Sequence, residues 1–494
     1  MKNRKSGVLL HITSLPGIEG IGTMGKNAYQ FVDFLVEIGQ KFWQILPLGP
    51  VGAGYSPYQC FSAFAGEPMM IDLELIKDEG LLKTEDFAVI PKFFQTRVEF
   101  EKVRKWKIVL LEKAFLNFRE NRFFQYKDEY NYFLNEHGWW LHDFALFMAA
   151  KEHFGPVSWY KWEKDFKLRK PEALNKLAQL LWDKTDFHRF LQFLFFRQWF
   201  ALKKYANSKG IDIIGDVPLY VSGESADVWT NTDIFILDKN LKPIEVGGVP
   251  PDYFSETGQL WGNPVYNWTR LKERDYDWWM ARMHFNLNFF NLVRIDHFRG
   301  LESYWSVPAK EKTAINGKWI PANGKEMLAK LKSQIHELPL IAEDLGVITP
   351  EVEKLRDEFN LPGMKVLQFA FTTDAKNKDL PHNYTNDFVV YTGTHDNDTT
   401  LGWLRSVKSD EKLMVEKYIG KSVVESLNAV VEMAMASVAN TAIIPMQDIL
   451  QLDEKSRMNT PGTATGNWGW RFQWKQLKLR HKKFIKKLTE KYNR

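Results

Sequence analysis

Residues 291–300 read NLVRIDHFRG, an apolar run that breaks, within its own length, into two arginines, an aspartate and a histidine. Charges at the end of a buried strand are costly unless they pair or do chemistry. Seven other apolar runs end in the same way, in a polar or Gly/Pro cluster: SGVLLHITSLPG (6–17), KFWQILPLGP (41–50), IDIIGDVPLY (211–220), PLIAEDLG (339–346), MKVLQFAF (364–371), DFVVYTGTHD (387–396) and TAIIPMQDIL (441–450). Near-continuously apolar strands separated by amphipathic segments predict a parallel sheet covered on both faces, and eight of them close a barrel. The fold class expected is therefore α/β, a (β/α)8 TIM barrel that uses residues 1–494 as one catalytic unit. Two gaps exceed a single crossover helix. Residues 72–205 carry helical periodicity in Lys, Glu, Phe and Trp and predict an inserted helical subdomain. Residues 218–290 read as a loop-rich, aromatic insertion over the C-terminal face, where barrels place their active sites.

Composition narrows the class. A hydrophobic fraction of 45% and a charged fraction of 26% disfavour disorder and membrane proteins. A single cysteine, Cys60, excludes an intramolecular disulfide framework and a Cys cluster for zinc or iron–sulfur. The amino-terminal apolar run stops at His11, too soon for an export signal or a membrane span, so a cytoplasmic protein is expected. The net charge of +5 draws on the tail KQLKLRHKKFIKKLTEKYNR, which reads as a solvated helix docking one apolar face rather than a nucleic-acid patch. Aromatic residues reach 15%, and some stand in the polar loop PPDYFSETGQLWGNPVYNW (250–268). Flat rings beside amides and carboxylates suit a ligand with apolar C–H faces and a hydroxyl rim, which is the form of a sugar.

Several familiar motifs fail. GIGTMG (20–25) has dinucleotide-type glycine spacing, but Leu46-Pro47-Leu48 stands where the acidic residue of the second strand is required, and a tight turn is the better reading. No Walker loop, G-x-S-x-G elbow or H-E-x-x-H helix occurs, which removes support for serine-nucleophile or zinc chemistry. What remains is acidic. Asp296 follows the fourth strand, Glu343-Asp344 the fifth, and His395-Asp396-Asn397-Asp398 the seventh, and a barrel brings such positions together at one mouth. Arg294 and Asp296 share parity, so the cation favours an ionised carboxylate. A retaining glycosidase-type reaction needs two carboxyls about 5–5.5 Å apart, one a nucleophile and one an acid then base. Glu343, longer than Asp344, reaches further as the acid. Ion pairs that merely tie the barrel together are the plain alternative, and His395 alone reads equally as a core histidine.

RIDHFRG, IAEDLG and GTHDNDTT resemble the amylomaltases, or 4-α-glucanotransferases (disproportionating enzymes), of the α-amylase superfamily. The likeness runs nearly end to end through LLHITSLPG, SPYQCFSAFAGEP, GDVPLYV, SADVW, GVPPDYFSETGQLWGNPVY, LPHNY and MNTPGTATGNWGWR. The resemblance implies Asp296 as nucleophile, Glu343 as general acid/base and Asp396 as transition-state stabiliser, with Arg294 and His395 beside them in the donor-sugar subsite. It places Tyr58, Asp216 and Asn459 along a glucan cleft, and Tyr253, Phe254, Gln259 and Trp261 on a loop that closes over bound glucan. It further implies α-1,4-glucans and maltooligosaccharides as donor and acceptor, with no cofactor, no metal and no nucleic-acid or membrane partner; the oligomeric state stays open. Tyr55 and Ala53 depart from the family's usual residues before SPYQ, Cys60 stands where serine is common, and Lys378-Asp379 replaces a Pro-containing segment. A retaining α-glucan hydrolase and a catalytically silent glucan-binding protein are the rival readings.

Overall fold

The computed structural model of the protein describes residues 4–251, 255–371, 376–420, 422 and 426–494. Its strands, in chain order, are β1 (Lys5–Leu9), β2 (Phe42–Gln44), β3 (Asp212–Pro218), β4 (Glu245–Val249), β5 (Gln259–Pro264), β6 (Leu292–Asp296), β7 (Ser303–Pro308), β8 (Lys318–Pro321), β9 (Leu340–Ala342), β10 (Gly363–Val366), β11 (Phe388–Tyr391) and β12 (Thr441–Pro445). Eight of them form one parallel sheet in the order β10-β11-β12-β1-β2-β3-β6-β9, and they are the eight apolar runs of the sequence. The seam between β9 and β10 is stitched by the Ala342 N–H to the Pro362 carbonyl at 2.9 Å and by the Met364 N–H to the Asp344 carboxylate at 2.7 Å. The result is the (β/α)8 barrel expected.

Register decides what meets at the mouth. Asp216 of β3 lies opposite Arg294 of β6, Pro218 opposite Asp296, and Ile295 opposite Ala342 of β9. Side chains alternate along a strand, so the fully buried Val293 and Ile295 face the helical layer while Arg294 and Asp296 share the other side. Close packing of the outer layer explains a small residue in β3: a Cβ on Gly215 would come within 2.1 Å of the Phe290 ring. Gly25, in the dinucleotide-like GIGTMG, abuts a carboxylate instead of a phosphate. A Cβ there would meet Asp72 Oδ2 at 1.8 Å, and this acid caps the helix Leu73–Asp78.

Between β2 and β3 the chain forms the helices Phe100–Asn117, Phe123–Phe154, Pro171–Leu180 and Trp182–Ser208. They pack through aromatic rings, with centroids at 4.9 Å for Phe118 and Phe190, 5.2 Å for Tyr130 and Phe193, and 5.3 Å for Phe133 and Phe196. Each such side chain gains about 1.5–3 kcal/mol on leaving water, so much of the aromatic excess is cohesion. The helix Trp182–Ser208 leads into β3 and docks on the barrel, its Trp199 indole N–H donating to the Phe289 carbonyl at 3.2 Å.

The stretch 218–290, read from the sequence as loop-rich, holds β4, β5 and the helices Trp268–Glu273 and Asp277–Phe289. β4 and β5 join β7 and β8 in a second, antiparallel sheet of order β5-β4-β7-β8. Sequence reasoning missed it because EVGGV and QLWGNP carry glycine and proline where strands favour β-branched residues; pairing, of β4 with β7 and of β5 with β4, makes them strands rather than propensity. The basic tail forms the helix Leu479–Tyr492, with Ile485 and Leu488 buried and its lysines mostly outward, as the spacing predicts. Among the described residues, no helix is long and apolar enough to cross a membrane.

Candidate active site

Arg294 is the hub of the barrel mouth. Its Nη1 donates to both oxygens of Asp216 at 2.8 and 2.7 Å, and its Nη2 stands 2.9 Å from Asp296 Oδ1. Arg294 and Asp216 are only 4% and 2% exposed, so the cation is shielded from water and acts at nearly full strength on what it touches. Tyr58 donates its hydroxyl to Asp216 Oδ2 at 2.7 Å. Burial pushes the Asp216 carboxyl up, and Arg294 opposes that. Asp296, unlike its two neighbours, is partly open to the cleft, with its side chain 29% exposed.

Glu343 follows β9, the next strand round the barrel. Its Oε2 accepts the His297 N–H at 2.7 Å and its Oε1 the Leu345 N–H at 3.2 Å. Burial pushes its carboxyl up to about 8, with Asp296 adding to the rise and Arg294 and the His297 N–H opposing it. One guanidinium cannot neutralise Asp216, Asp296 and Glu343 together, and Glu343 is the one of the three that its fork does not bond, which favours the proton there. Asp344 points elsewhere. It takes the Met364 N–H and pairs with Arg356, an ion pair within the barrel wall.

The loop after β11 supplies the third acid. Asp396 accepts from Asn459 Nδ2 at 2.6 Å and lies 3.4 Å from His395 Nε2. Arg457 fastens this arrangement from behind, donating to the backbone carbonyls of Asp396 at 2.6 Å and Asn459 at 2.7 Å. The buried carboxylate of Asp448, just beyond β12, accepts from the Thr392 and Thr400 hydroxyls and from the Thr400 N–H, which fixes both ends of the loop. The His395 ring stacks on Tyr58 with centroids 5.2 Å apart and planes at 15°, beside Trp468 at 6.0 Å. The structure thus brings together Tyr58, Asp216, Arg294, Asp296, Glu343, His395, Asp396 and Asn459.

Gln259 and Trp261 lie on β5, where the Trp261 indole N–H donates to Gln259 Oε1 at 3.2 Å and its ring meets His297 edge-on at 4.8 Å. Tyr253 and Phe254 lie outside the described residues. Sequence reasoning missed Arg457, Asp448, Trp468 and His297. Only His297 carried a signal, as a polar residue directly after a candidate nucleophile; the others act through contacts that chain separation hides. Chemically, the site sets a carboxyl raised by burial beside a paired, partly open carboxylate, a division that suits acetal cleavage.

Residues 10–478 match the family model described as 4-alpha-glucanotransferase. The chain is 49% identical over 498 residues to the 4-alpha-glucanotransferase of Synechocystis sp., covering 100% of this chain and 99% of that protein. It is 46% identical over 495 residues to the enzyme of the same name from Thermus thermophilus, covering 99% and 98%. The solved amylomaltase from Streptococcus agalactiae in complex with acarbose superposes with a TM-score of 0.96 at 43% identity, covering 99% of each chain.

Proposed function

The chain belongs to the 4-alpha-glucanotransferase family, and on that premise we propose that Asp296, Glu343 and Asp396 carry the transfer by a retaining double displacement. The protein is a 4-α-glucanotransferase acting on α-glucans. In the first step Asp296 attacks C1 of the donor sugar while Glu343 gives its proton to the glycosidic oxygen. The C1–O bond breaks, the shortened glucan leaves with that proton, and a glycosyl-enzyme ester forms on Asp296. In the second step Glu343, now a carboxylate, takes the proton from the 4-hydroxyl of an acceptor glucan, whose oxygen attacks C1 and frees Asp296. Two inversions restore the α configuration. Asp396, held by Asn459, grips ring hydroxyls as the sugar flattens toward the oxocarbenium ion, and Tyr58, Arg294, Asp216 and His395 line the donor side. Gln259 and Trp261 contact glucan from β5, and Tyr253 and Phe254 are glucan contacts on the same reading. Maltooligosaccharides serve as donor and acceptor. The lone cysteine suits a cytoplasmic setting.

The observation that carries this reading is that Arg294 pairs with Asp296 while Glu343, one strand further round, is held by the His297 N–H outside that fork, where burial raises its carboxyl. An α-maltosyl fluoride donor tests it, because fluoride departs with little acid assistance. Glu343→Gln should form the ester and fail to discharge it, adding a glycosyl mass to the peptide that contains Asp296; Asp296→Asn should gain no mass. Label on any other carboxylate, or normal turnover by either folded variant, would remove that residue from its role.

A further inference from the structure

His297 stands between the nucleophile and the second sheet, in a backbone conformation that needs a reason. Its φ of 57° and ψ of 47° are left-handed, a region that costs a residue with a side chain about 1–2 kcal/mol. Three contacts come with that turn. The His297 N–H points at Glu343 Oε2, 2.7 Å away. The His297 ring turns out of the barrel to meet the Trp261 ring edge-on, with centroids at 4.8 Å and planes at 86°. The ring is also wedged from below, since a Cβ on Gly300 would stand 2.9 Å from His297 Cδ2. Among the described residues, neither His297 Nε2 nor the nearby Tyr220 hydroxyl has a hydrogen-bond partner, although both are buried. A histidine conserving no side-chain hydrogen bond is placed for its shape and its backbone, not for its ring nitrogens.

From this geometry we propose that His297 is a positioning residue that couples the second sheet to the acid/base: its ring takes its place from Trp261 on β5, and its N–H passes that place to Glu343. The inference rests on Glu343 being the acid/base. The chain path supports it, because the segment after His297 turns through the short helix Phe298–Leu301 directly into β7, a strand of the same sheet as β5. Both arms of the sheet therefore bear on the residue whose N–H holds Glu343 Oε2. On this coupling the braced turn keeps water from Glu343, and removing the ring leaves in place the charged groups that face Glu343, Arg294 and Asp296 of β6 and Asp344 beside it, and those that face His297, Asp296 and Arg299.

Asparagine and glycine both tolerate left-handed backbone, so His297→Asn and His297→Gly permit the turn while deleting the ring that braces it against Trp261. With maltotriose as substrate, each should move the basic limb of the kcat profile down by about one pH unit, because burial is what chiefly retains the Glu343 proton, and should leave KM within about twofold, since the ring is not itself a sugar contact. Trp261→Ala should move the limb the same way, and Trp261→Ala combined with His297→Asn should move it no further than either alone. A limb unmoved in both His297 variants, or a combined shift equal to the sum of the two, would overturn the coupling while Glu343→Gln stays inactive. Wild-type turnover by Glu343→Gln would instead overturn the acid/base assignment, and the coupling with it.

Discussion

Arg294 carries one positive charge among three carboxyl groups, and that imbalance sorts their roles. Asp216 takes the whole of Nη1 and Asp296 takes Nη2, so Glu343 is left to be neutralised by a proton. Lysine offers a compact charge on a single nitrogen and cannot reach both acids as the planar fork does. Arg294→Lys should lower kcat/KM by roughly 10²–10³-fold through lost transition-state stabilisation, and should cost about 3 kcal/mol of stability because Asp216 is left buried and under-paired. Steady-state kinetics with maltotriose and thermal denaturation check the two halves separately. Glu343 makes its own prediction about stability. Its folded value near 8 lies above the ordinary 4.5, so the folded state binds its proton more tightly than the unfolded chain. The stability this contributes is fully present below about pH 4.5 and is lost as pH rises through 8. Glu343→Gln, which cannot ionise, should therefore melt above the parent enzyme by a margin that widens between those pH values, reaching roughly 2–5 kcal/mol. A pH-independent margin would place the Glu343 proton elsewhere.

Elements explain why the loops sit where they do. The turn that bears His395 and Asp396 is not held by its own strand but by Asp448, three donors deep and 3% exposed. Asp448→Ala leaves two buried hydroxyls and an N–H without their acceptor, a loss of about 2–4 kcal/mol, and should lower kcat more than it raises KM because Asp396 drifts from the geometry it needs. Circular dichroism melting and kcat measured well below the new melting point check this. The same residue shows where sequence reasoning runs out. The eight barrel strands were legible because each is a near-continuous apolar run, and Asp296, Glu343 and Asp396 because they stand at the ends of such runs, whereas Asp216 came only with the family resemblance of GDVP. The second sheet was not, since Gly247-Gly248 and Gly262-Asn263-Pro264 disfavour strands and take their form from their pairing partners, β7 for the first and β4 for the second. Asp448 and Arg457 carry no local pattern that marks them. Their partners lie about fifty and sixty residues upstream, a separation no local pattern encodes.

At the scale of the whole molecule, the barrel supplies the acids and the second sheet supplies the wall opposite them, and the choice between sugar and water as acceptor belongs to their junction. Both outcomes use Asp296 and Glu343 alike, so the acids cannot decide between them. Transfer exchanges one α-1,4 bond for another and is nearly neutral in energy, so its products spread over many lengths; hydrolysis runs downhill and only shortens. On the proposed mechanism, Trp261 and Gln259 cover the glycosyl-enzyme on one side, which would exclude water and favour an acceptor held in position with an effective concentration that a diffusing water molecule lacks. Incubation with maltotriose should therefore release glucose together with a ladder of longer maltooligosaccharides, while the number of reducing ends stays almost constant. Trp261→Ala should raise the hydrolytic share several-fold without abolishing cleavage, since it strips the cover and leaves the acids, and the rise in reducing ends per glucose released measures that share directly. If the variant loses both reactions in equal proportion, the wall contributes to binding alone, and the preference for sugar must come from the acceptor's own contacts with the barrel mouth.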